Sequence, residues 1–479
     1  MTLQETPAHQ WSATSDGGDL RAARTFDVVN PSTGQVFSQA PDIHPDQLDA
    51  VFAGAHAAFL KWRTDDDFRR ETMRRAAAVI EAHVVELAPV LTMEQGKPVA
   101  DSTREFLGSA RWLRYYADLE VPRQVVRDDA DAYEEVFHRP LGVVSAITPW
   151  NFPITLAMWK IAPALRAGNT LVVKPSPYTP LATLALGELL RGILPDGVLN
   201  IVTGLDALGA AMVAHPIPRK VSFTGSTTVG KKVALGAAPD LKRVTLELGG
   251  NDPAIVLPDV DVDEIAPRLF WNAFSNNGQI CVAVKRVYAH ESVQPRLVEA
   301  LGELARSVKV GDGFEEGVRL GPVNNRPQLD HVAALVDEAT GRGARVVAGG
   351  RALSGDGYFY SPTILDGVED TFRVVAEEQF GPVLPVLSYR DEDDAIRRAN
   401  DSVYGLSASV WSEDLDRAAR IAERMESGQV GINAHARGML PHLPFGGHKW
   451  SGVGVENGPW GLYSFTELQV IAGPPRVGR

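Results

Sequence analysis

From Leu141 onward the chain alternates short β-branched runs with amphipathic ones, and this alternation limits the fold more than any other feature. Residues 142–147, 170–173, 198–202, 220–223 and 243–248 read as strands, with helices at 155–166, 181–194, 207–214 and 227–237 between them. Strands linked through helices are parallel neighbours, because a parallel pair needs a crossover connection and the crossovers cover both sheet faces. The expected architecture is a doubly wound α/β sheet. Ligands of such sheets lie past the carboxyl ends of the strands, which directs attention to 148–152, 174–177, 224–230 and 247–250. A second alternating block spans 254–433, with strands near 254–257, 345–348 and 429–432 and helices near 263–274, 294–308 and 328–342. It reads as a second α/β lobe. Residues 122–140 and 464–479 fit neither lobe and read as strands reaching away from the body.

Upstream, Leu48, Val51, Phe52, Ala55, Phe59 and Trp62 recur at steps of three and four, the mark of one buried helical face. Met73, Ile80, Val84 and Leu87 continue the pattern, and Gly96-Lys97-Pro98 has the order of a helix C-terminus. A strand near 24–39 precedes these helices.

At about 150 residues per unit, a 479-residue chain implies about three units or one large multi-lobed enzyme. Hydrophobic residues make up 44% and charged ones 22%, so the chain is globular rather than disordered. A net charge of −13 without a basic block argues against nucleic-acid or anionic-membrane partners. The lone cysteine excludes an intrachain disulfide and a multi-thiolate metal site, and fits a reducing compartment. Residues 1–22 carry no signal-peptide pattern, and no apolar run reaches the roughly 18 residues of a membrane span. The expected location is the cytoplasm.

Cys281 follows the polar loop Ser275-Asn276-Asn277-Gly278-Gln279-Ile280, directly after an amphipathic helix. It is either a small buried hydrophobe or a nucleophile, and as a nucleophile it needs a cation, a helix N-terminus or a base to ionise. Glu247 ends an otherwise apolar strand ahead of a glycine pair. It is either paired with Lys242 or solvated, or a general base with a raised pKa. Asn151, between aromatic residues and prolines, either closes an Asx turn or donates to an oxyanion. Gly225 and Gly230-Lys231 match a phosphate-cradling P-loop after a strand, but Lys232 stands where a Ser or Thr would hold Mg²⁺. The helix N-terminus still attracts a phosphate, so a dinucleotide survives as ligand where nucleotide hydrolysis does not. No G-x-G-x-x-G follows a predicted strand.

Seven segments occur in a familiar order: Thr148-Pro149-Trp150-Asn151-Phe152-Pro153, Lys174-Pro175-Ser176, Phe223-Thr224-Gly225-Ser226, Glu247-Leu248-Gly249-Gly250, Gly278-Gln279-Ile280-Cys281, Glu377-Glu378-Gln379-Phe380-Gly381-Pro382 and Pro444-Phe445-Gly446-Gly447. On these residues the chain resembles the NAD(P)-dependent aldehyde dehydrogenase superfamily over nearly its whole length. The resemblance implies an NAD(P)-binding domain (1–121 and 141–247), a catalytic domain (248–444), and an oligomerisation ribbon and tail (122–140 and 445–479). It makes Cys281 the nucleophile, Asn151 with the Cys281 N–H the oxyanion hole, Glu247 the activator of the hydrolytic water and Lys160 an aid to proton movement. The cofactor it implies is NAD or NADP, with Thr148, Pro149, Trp150, Leu248 and Gly249 among the contacts. Lys174 would meet the adenosine ribose, Gly225 and Ser226 the pyrophosphate, and Glu378 and Phe380 the nicotinamide end. Pro177 departs from the Glu of many NAD-preferring members, and with Ser176 and Lys174 nearby that opens the site to NADP.

The substrate tunnel implied is Trp150, Thr155, Leu156, Trp159, Ile280, Val282 and Phe445, which suits an uncharged aliphatic or aromatic aldehyde. Trp159 replaces an Arg typical of succinate-semialdehyde members, while Arg437, near His435 and His442, keeps a semialdehyde open. CoA acylation and a catalytically silent scaffold are the remaining alternatives; Glu247 argues against the first, and Cys281, Glu247 and Asn151 together against the second. The ribbon and tail, having no core of their own, are expected to pair with another subunit in a homodimer or homotetramer.

Overall fold

The computed structural model describes residues 10–436 and 439–475. Its first sheet has eight strands, in the order Gly18–Leu20, Ala13–Ser15, Leu199–Ile201, Thr170–Lys174, Val143–Ile147, Lys220–Thr224, Arg243–Glu247 and Gly452–Val453. The five inner strands are parallel, and Val143–Ile147, Thr170–Lys174 and Lys220–Thr224 are buried at all or nearly all positions, as β-branched runs covered on both faces must be. Chain order reverses between Val143–Ile147 and Lys220–Thr224, so the crevice of this sheet opens where Thr148 and Gly225 leave it.

Helix Pro153–Ala167 closes at Gly168, whose φ of 95° is the left-handed conformation that a helix stop requires. Leu48–Trp62 forms as its periodicity predicts, but the apolar pattern after it is divided at His83 into helices Asp66–Ala82 and Val84–Gln95, bent by 73°. The strand expected near 24–39 is a hairpin, Arg24–Asn30 against Gln35–Asp42, and two short strands precede it. Gly34 reverses the chain at φ 68°, where a Cβ would fall 2.4 Å from the Asp356 carbonyl oxygen. Among the described residues no single helix is long and apolar enough to cross a membrane.

A second sheet of seven strands follows the order Arg345–Ala348, Thr363–Asp366, Val383–Tyr389, Val284–His290, Asp252–Val256, Ser407–Trp411 and Gln429–Ile432. Four of these have no counterpart among the strands expected from sequence: Val284–His290, Thr363–Asp366, Val383–Tyr389 and Ser407–Trp411. Continuously buried strands lack the alternation that reveals a half-exposed one. In Val284–His290 the buried Lys285 and Arg286 further disguise the segment, because their charges are met by carbonyl oxygens.

Within segments 122–140 and 464–475 strands form as expected, and they pair with one another. Thr466–Gly473 lies antiparallel to Tyr133–Pro140, which pairs with Arg123–Asp128, so the three strands form one open ribbon whose two outer strands each keep a free edge. Its outer strands expose Val125, Val126, Leu468, Val470 and Ile471.

Candidate active site

Helix Val262–Phe274 ends in a tight turn, Ser275–Gly278, with Asn276 and Asn277 at φ 50° and 58°. Short amide side chains tolerate this left-handed region. The turn delivers Cys281 half-buried below the first sheet's crevice. Asn151, from the end of Val143–Ile147, reaches the same loop, its Nδ2 donating to the Gln279 carbonyl at 2.9 Å. The amide therefore spans two segments and does not close an Asx turn, leaving a second N–H for a ligand. Burial pushes the Cys281 thiol up to about 12, opposed by the Lys285 ammonium and reinforced by the acidic neighbours Glu378, Asp252 and Glu247. Lys285 donates to the Ile280 and Cys281 carbonyls, both at 2.7 Å.

Asn151 is held from behind by a buried ion pair that the sequence did not reveal. Lys97 Nζ lies 2.6 Å from Glu105 Oε2 and donates to the Asn151 carbonyl at 2.9 Å, with each side chain of the pair 1% exposed. Glu105 Oε1 accepts the Ile154 and Thr155 N–H groups, satisfying the start of helix Pro153–Ala167 as a carboxylate suits a helix N-terminus. The Gly96-Lys97-Pro98 stop signal concealed this second task of the lysine. Lys97→Met leaves Glu105 buried without its cation, and breaking such a pair costs about 3–5 kcal/mol. The expected result is a lower melting temperature by calorimetry together with reduced kcat; a variant matching the parent in both would remove the pair from the site.

Glu247 is buried, and neither carboxylate oxygen has a hydrogen-bond partner among the described residues. Burial raises its pKa well above the carboxylate range, the nearby Glu456 adds to the rise, and Lys160 opposes it. Lys242 is not its partner, because that ammonium donates to the Val213 and His215 carbonyls at 2.6 Å each. Behind Glu247, Lys160 Nζ donates to Glu456 Oε1 and Thr224 Oγ1, both at 2.7 Å. Glu456 comes from the chain's last segments, and nothing in its Gly454-Val455-Glu456-Asn457-Gly458 surroundings marks it beforehand.

The residues expected to meet a dinucleotide line the crevice ends. Ser226 caps helix Thr227–Ala237, its Oγ accepting the Val229 N–H at 3.3 Å. Gly225 precedes it, a Cβ there would lie 2.6 Å from the Phe223 ring, and its N–H donates to the Glu247 carbonyl at 3.0 Å. Lys174 is buried with the Pro175 carbonyl as its acceptor at 3.3 Å, and burial lowers its ammonium to about 8. Ser176 and Pro177 continue from the same strand end, and the buried Thr148 Oγ1 has no partner among the described residues. At the Cys281 end, Glu378 Oε1 accepts the Gly250 N–H at 3.1 Å and lies 3.4 Å from Lys285 Nζ. A Cβ at Gly249 would fall 2.2 Å from Glu378 Oε2. Pro149 leads into Trp150, whose ring meets Phe380 edge-on at 5.2 Å. Leu248 packs on Gly230 so closely that a Cβ there would lie 2.4 Å away. Bare glycines, a capped helix start and an under-partnered ammonium suit a phosphate-bearing dinucleotide.

Of the tunnel residues, Leu156, Trp159, Val282 and Phe445 are buried, and Trp150, Thr155 and Ile280 are partly exposed. Trp159 meets Phe445 edge-on at 4.9 Å and stacks with Trp112 at 5.9 Å; the Trp112 contribution was not anticipated. The Trp159 Nε1 donor has no partner among the described residues. His435 does not face the tunnel mouth: it is buried, with Nδ1 2.9 Å from Ser409 Oγ and Nε2 3.2 Å from Ser407 Oγ. His442 is exposed, and Arg437 lies outside the described residues.

Comparison with known proteins decides the family. The model of the aldehyde dehydrogenase family matches residues 20–471. This chain belongs to the aldehyde dehydrogenase family. It is 38% identical to the succinate-semialdehyde dehydrogenase [NADP(+)] GabD of Escherichia coli over 95% of this chain and 95% of that protein. It is 39% identical to a phenylacetaldehyde dehydrogenase of Pseudomonas fluorescens over 97% of this chain and 96% of that protein. The solved NAD+ complex of an aldehyde dehydrogenase from Bacillus cereus superposes with a TM-score of 0.95 at 34% identity, over 98% of this chain and 97% of that one. The protein is thus an NAD(P)-dependent oxidoreductase acting on aldehydes.

Proposed function

We propose that this aldehyde dehydrogenase converts an uncharged aliphatic or aromatic aldehyde to its carboxylic acid by thioester chemistry on Cys281. The observation that carries the reading is the convergence of Asn151 and the Cys281 loop, joined at 2.9 Å, beside a Glu247 whose two oxygens are buried and unpartnered. The thiol, held neutral by burial yet partly open to solvent, loses its proton to solvent as sulfur adds to the aldehyde carbon. The second Asn151 N–H and the Cys281 N–H then stabilise the developing alkoxide. A bound NAD(P)+ would supply the hydride acceptor, and loss of hydride from that carbon leaves a thioester on the Cys281 sulfur. Glu247 in its deprotonated form takes a proton from the attacking water and returns it to the departing sulfur, which releases the acid and restores the thiol. Lys160 and Glu456, hydrogen-bonded at 2.7 Å, stand behind Glu247 and act on its proton affinity through their charges.

In this reading the dinucleotide lies along 148–150, 174–177 and 225–226, with Leu248, Gly249, Glu378 and Phe380 at the reacting end. Residues 1–121 and 141–247 form its domain, 248–444 the catalytic domain, and 122–140 with 445–479 the ribbon and tail. The apolar set around Trp159 and Phe445 and the 39% identity to a phenylacetaldehyde dehydrogenase support the substrate class. A semialdehyde is the second reading, favoured by the 38% identity to GabD and by the unpartnered Trp159 Nε1. The exposed apolar strands of the ribbon support assembly into a homodimer or homotetramer, and we assign the enzyme to the cytoplasm.

The test is reduced-nicotinamide formation from NAD or NADP with aliphatic, aromatic and carboxylate-bearing aldehydes, each with and without CoA. The highest kcat/KM is expected for an apolar aldehyde, independent of CoA. Preference for the carboxylate-bearing aldehyde would establish the semialdehyde reading instead, and dependence on CoA would end the hydrolytic one.

A further inference from the structure

Strand Val284–His290 runs beside Asp252–Val256 in the second sheet, and the register joins Asp252 to Val284 but Pro253 to Arg286, so Lys285 is the residue the ladder skips. Pro253 accounts for the irregularity: it has no N–H to give, and a proline within a sheet sits at an edge or a bulge. A bulge re-aims a side chain, and here it turns Lys285 towards the loop that carries the nucleophile.

The Lys285 side chain is 3% exposed, and its ammonium donates to two consecutive carbonyls, Ile280 and Cys281, both at 2.7 Å. Its third neighbour is Glu378 Oε1 at 3.4 Å, an oxygen that also accepts the Gly250 N–H. Gly250 packs so closely on the loop that a Cβ there would fall 2.7 Å from the Cys281 carbonyl oxygen. The glycine and the ammonium together confine that carbonyl.

The Ile280 carbonyl and the Cys281 N–H belong to one peptide unit. Every peptide bond among the described residues is trans, so the carbonyl and N–H of this planar unit point in opposite directions. With its carbonyl held on Lys285, the unit turns its N–H away from the ammonium, and among the described residues that N–H has no acceptor. An ammonium bonded to the carbonyl oxygen also polarises the amide and makes its N–H a stronger donor, as neighbouring hydrogen bonds reinforce one another in a low-dielectric site. The acids Glu378, Asp252 and Glu247 disfavour negative charge at Cys281, and Lys285 opposes them.

We propose that Lys285 is a positioning residue for the oxyanion hole: by holding the peptide unit between Ile280 and Cys281 it aims the Cys281 N–H at the developing alkoxide and strengthens it as a donor. The proposal rests on the reading of that N–H, with Asn151, as the oxyanion hole of a thioester-forming site.

The experiment uses Lys285→Met and Lys285→Arg, each alone and combined with Glu247→Gln, with saturating NAD+ or NADP+ and a cinnamaldehyde isotope-labelled at its carbonyl carbon. Stopped-flow absorbance reads the hydride burst, and infrared difference spectroscopy reads the carbonyl stretch of the thioester that Glu247→Gln accumulates. Outright removal of one oxyanion donor costs about 10²–10³ in rate, and a misaimed, weakened donor costs less, so Lys285→Met is expected to slow the burst about tenfold. Its thioester carbonyl stretch moves to higher frequency, because a carbonyl facing a weaker donor is less polarised. Lys285→Arg keeps a cation and its donors in place and recovers both readouts. Lys285→Gln, with the same direction of change expected, takes the place of Lys285→Met if the latter does not fold. A parent-rate burst in the neutral variant, a slowed burst with an unmoved carbonyl stretch, or equal losses in the neutral variant and Lys285→Arg would overturn the role of Lys285. Absence of a thioester in Glu247→Gln with Lys285 intact would instead overturn the thioester reading on which that role stands.

Discussion

Cys281→Ser is expected to reduce aldehyde turnover by at least about a thousandfold while leaving cofactor binding intact. The chain has no second thiol to take over. A serine hydroxyl in the same half-buried loop meets the same low-dielectric surroundings that already push the thiol up to about 12, and it starts as the weaker acid. Because burial raises the thiol's pKa, the free enzyme holds it neutral through the physiological range. Alkylation by iodoacetamide is therefore slow at pH 7 and accelerates about tenfold per pH unit towards that value. Turnover of the serine variant at the parent rate would exclude the thiol mechanism, and fast alkylation at pH 7 would show that Lys285 prevails over burial.

Glu247→Gln separates the two halves of the reaction. Acylation and hydride release need Cys281 and Asn151, so reduced cofactor is expected to appear in a burst approaching one equivalent per subunit. Hydrolysis then slows by about 10²–10⁴, the usual contribution of a positioned general base. Glutamine is nearly isosteric, so this loss isolates proton transfer from packing. In the parent enzyme the raised pKa of Glu247 leaves it protonated at low pH, and hydrolysis rises with pH as the proton leaves. Steady turnover by the variant without a burst would remove Glu247 from the chemistry.

The five parallel strands of the cofactor-side sheet were legible in the sequence because they alternate with helices that have their own starts and stops, whereas the edge strands Gly18–Leu20, Ala13–Ser15 and Gly452–Val453 were not. Residues 220–223 and 243–248 were anticipated to within a residue as Lys220–Thr224 and Arg243–Glu247. The second sheet was harder: Val284–His290 contains Lys285 and Arg286, and charges that are buried and satisfied by carbonyl oxygens look like surface charges in one dimension. The ribbon strands were recognised but their partner was not, because pairing over more than three hundred residues, as between Thr466 and Pro140, leaves no local mark. The helix stop at Gly96-Lys97-Pro98 was read correctly, and it concealed the ion pair that holds Asn151.

By itself the sequence determined the α/β class, the crevice-facing strand ends and the identity of Cys281, Glu247 and Asn151 as the residues to inspect. These properties live in local pattern: periodicity, glycine and proline punctuation, and polar residues where apolar ones are expected. What surrounds them follows from long-range packing alone: Lys97 with Glu105 behind Asn151, Glu456 and Lys160 behind Glu247, and Trp112 against Trp159. Charge and hydrogen-bond energies depend on distances of a few ångströms and on burial, and folding alone brings Lys160 within 2.7 Å of a carboxylate 296 positions away.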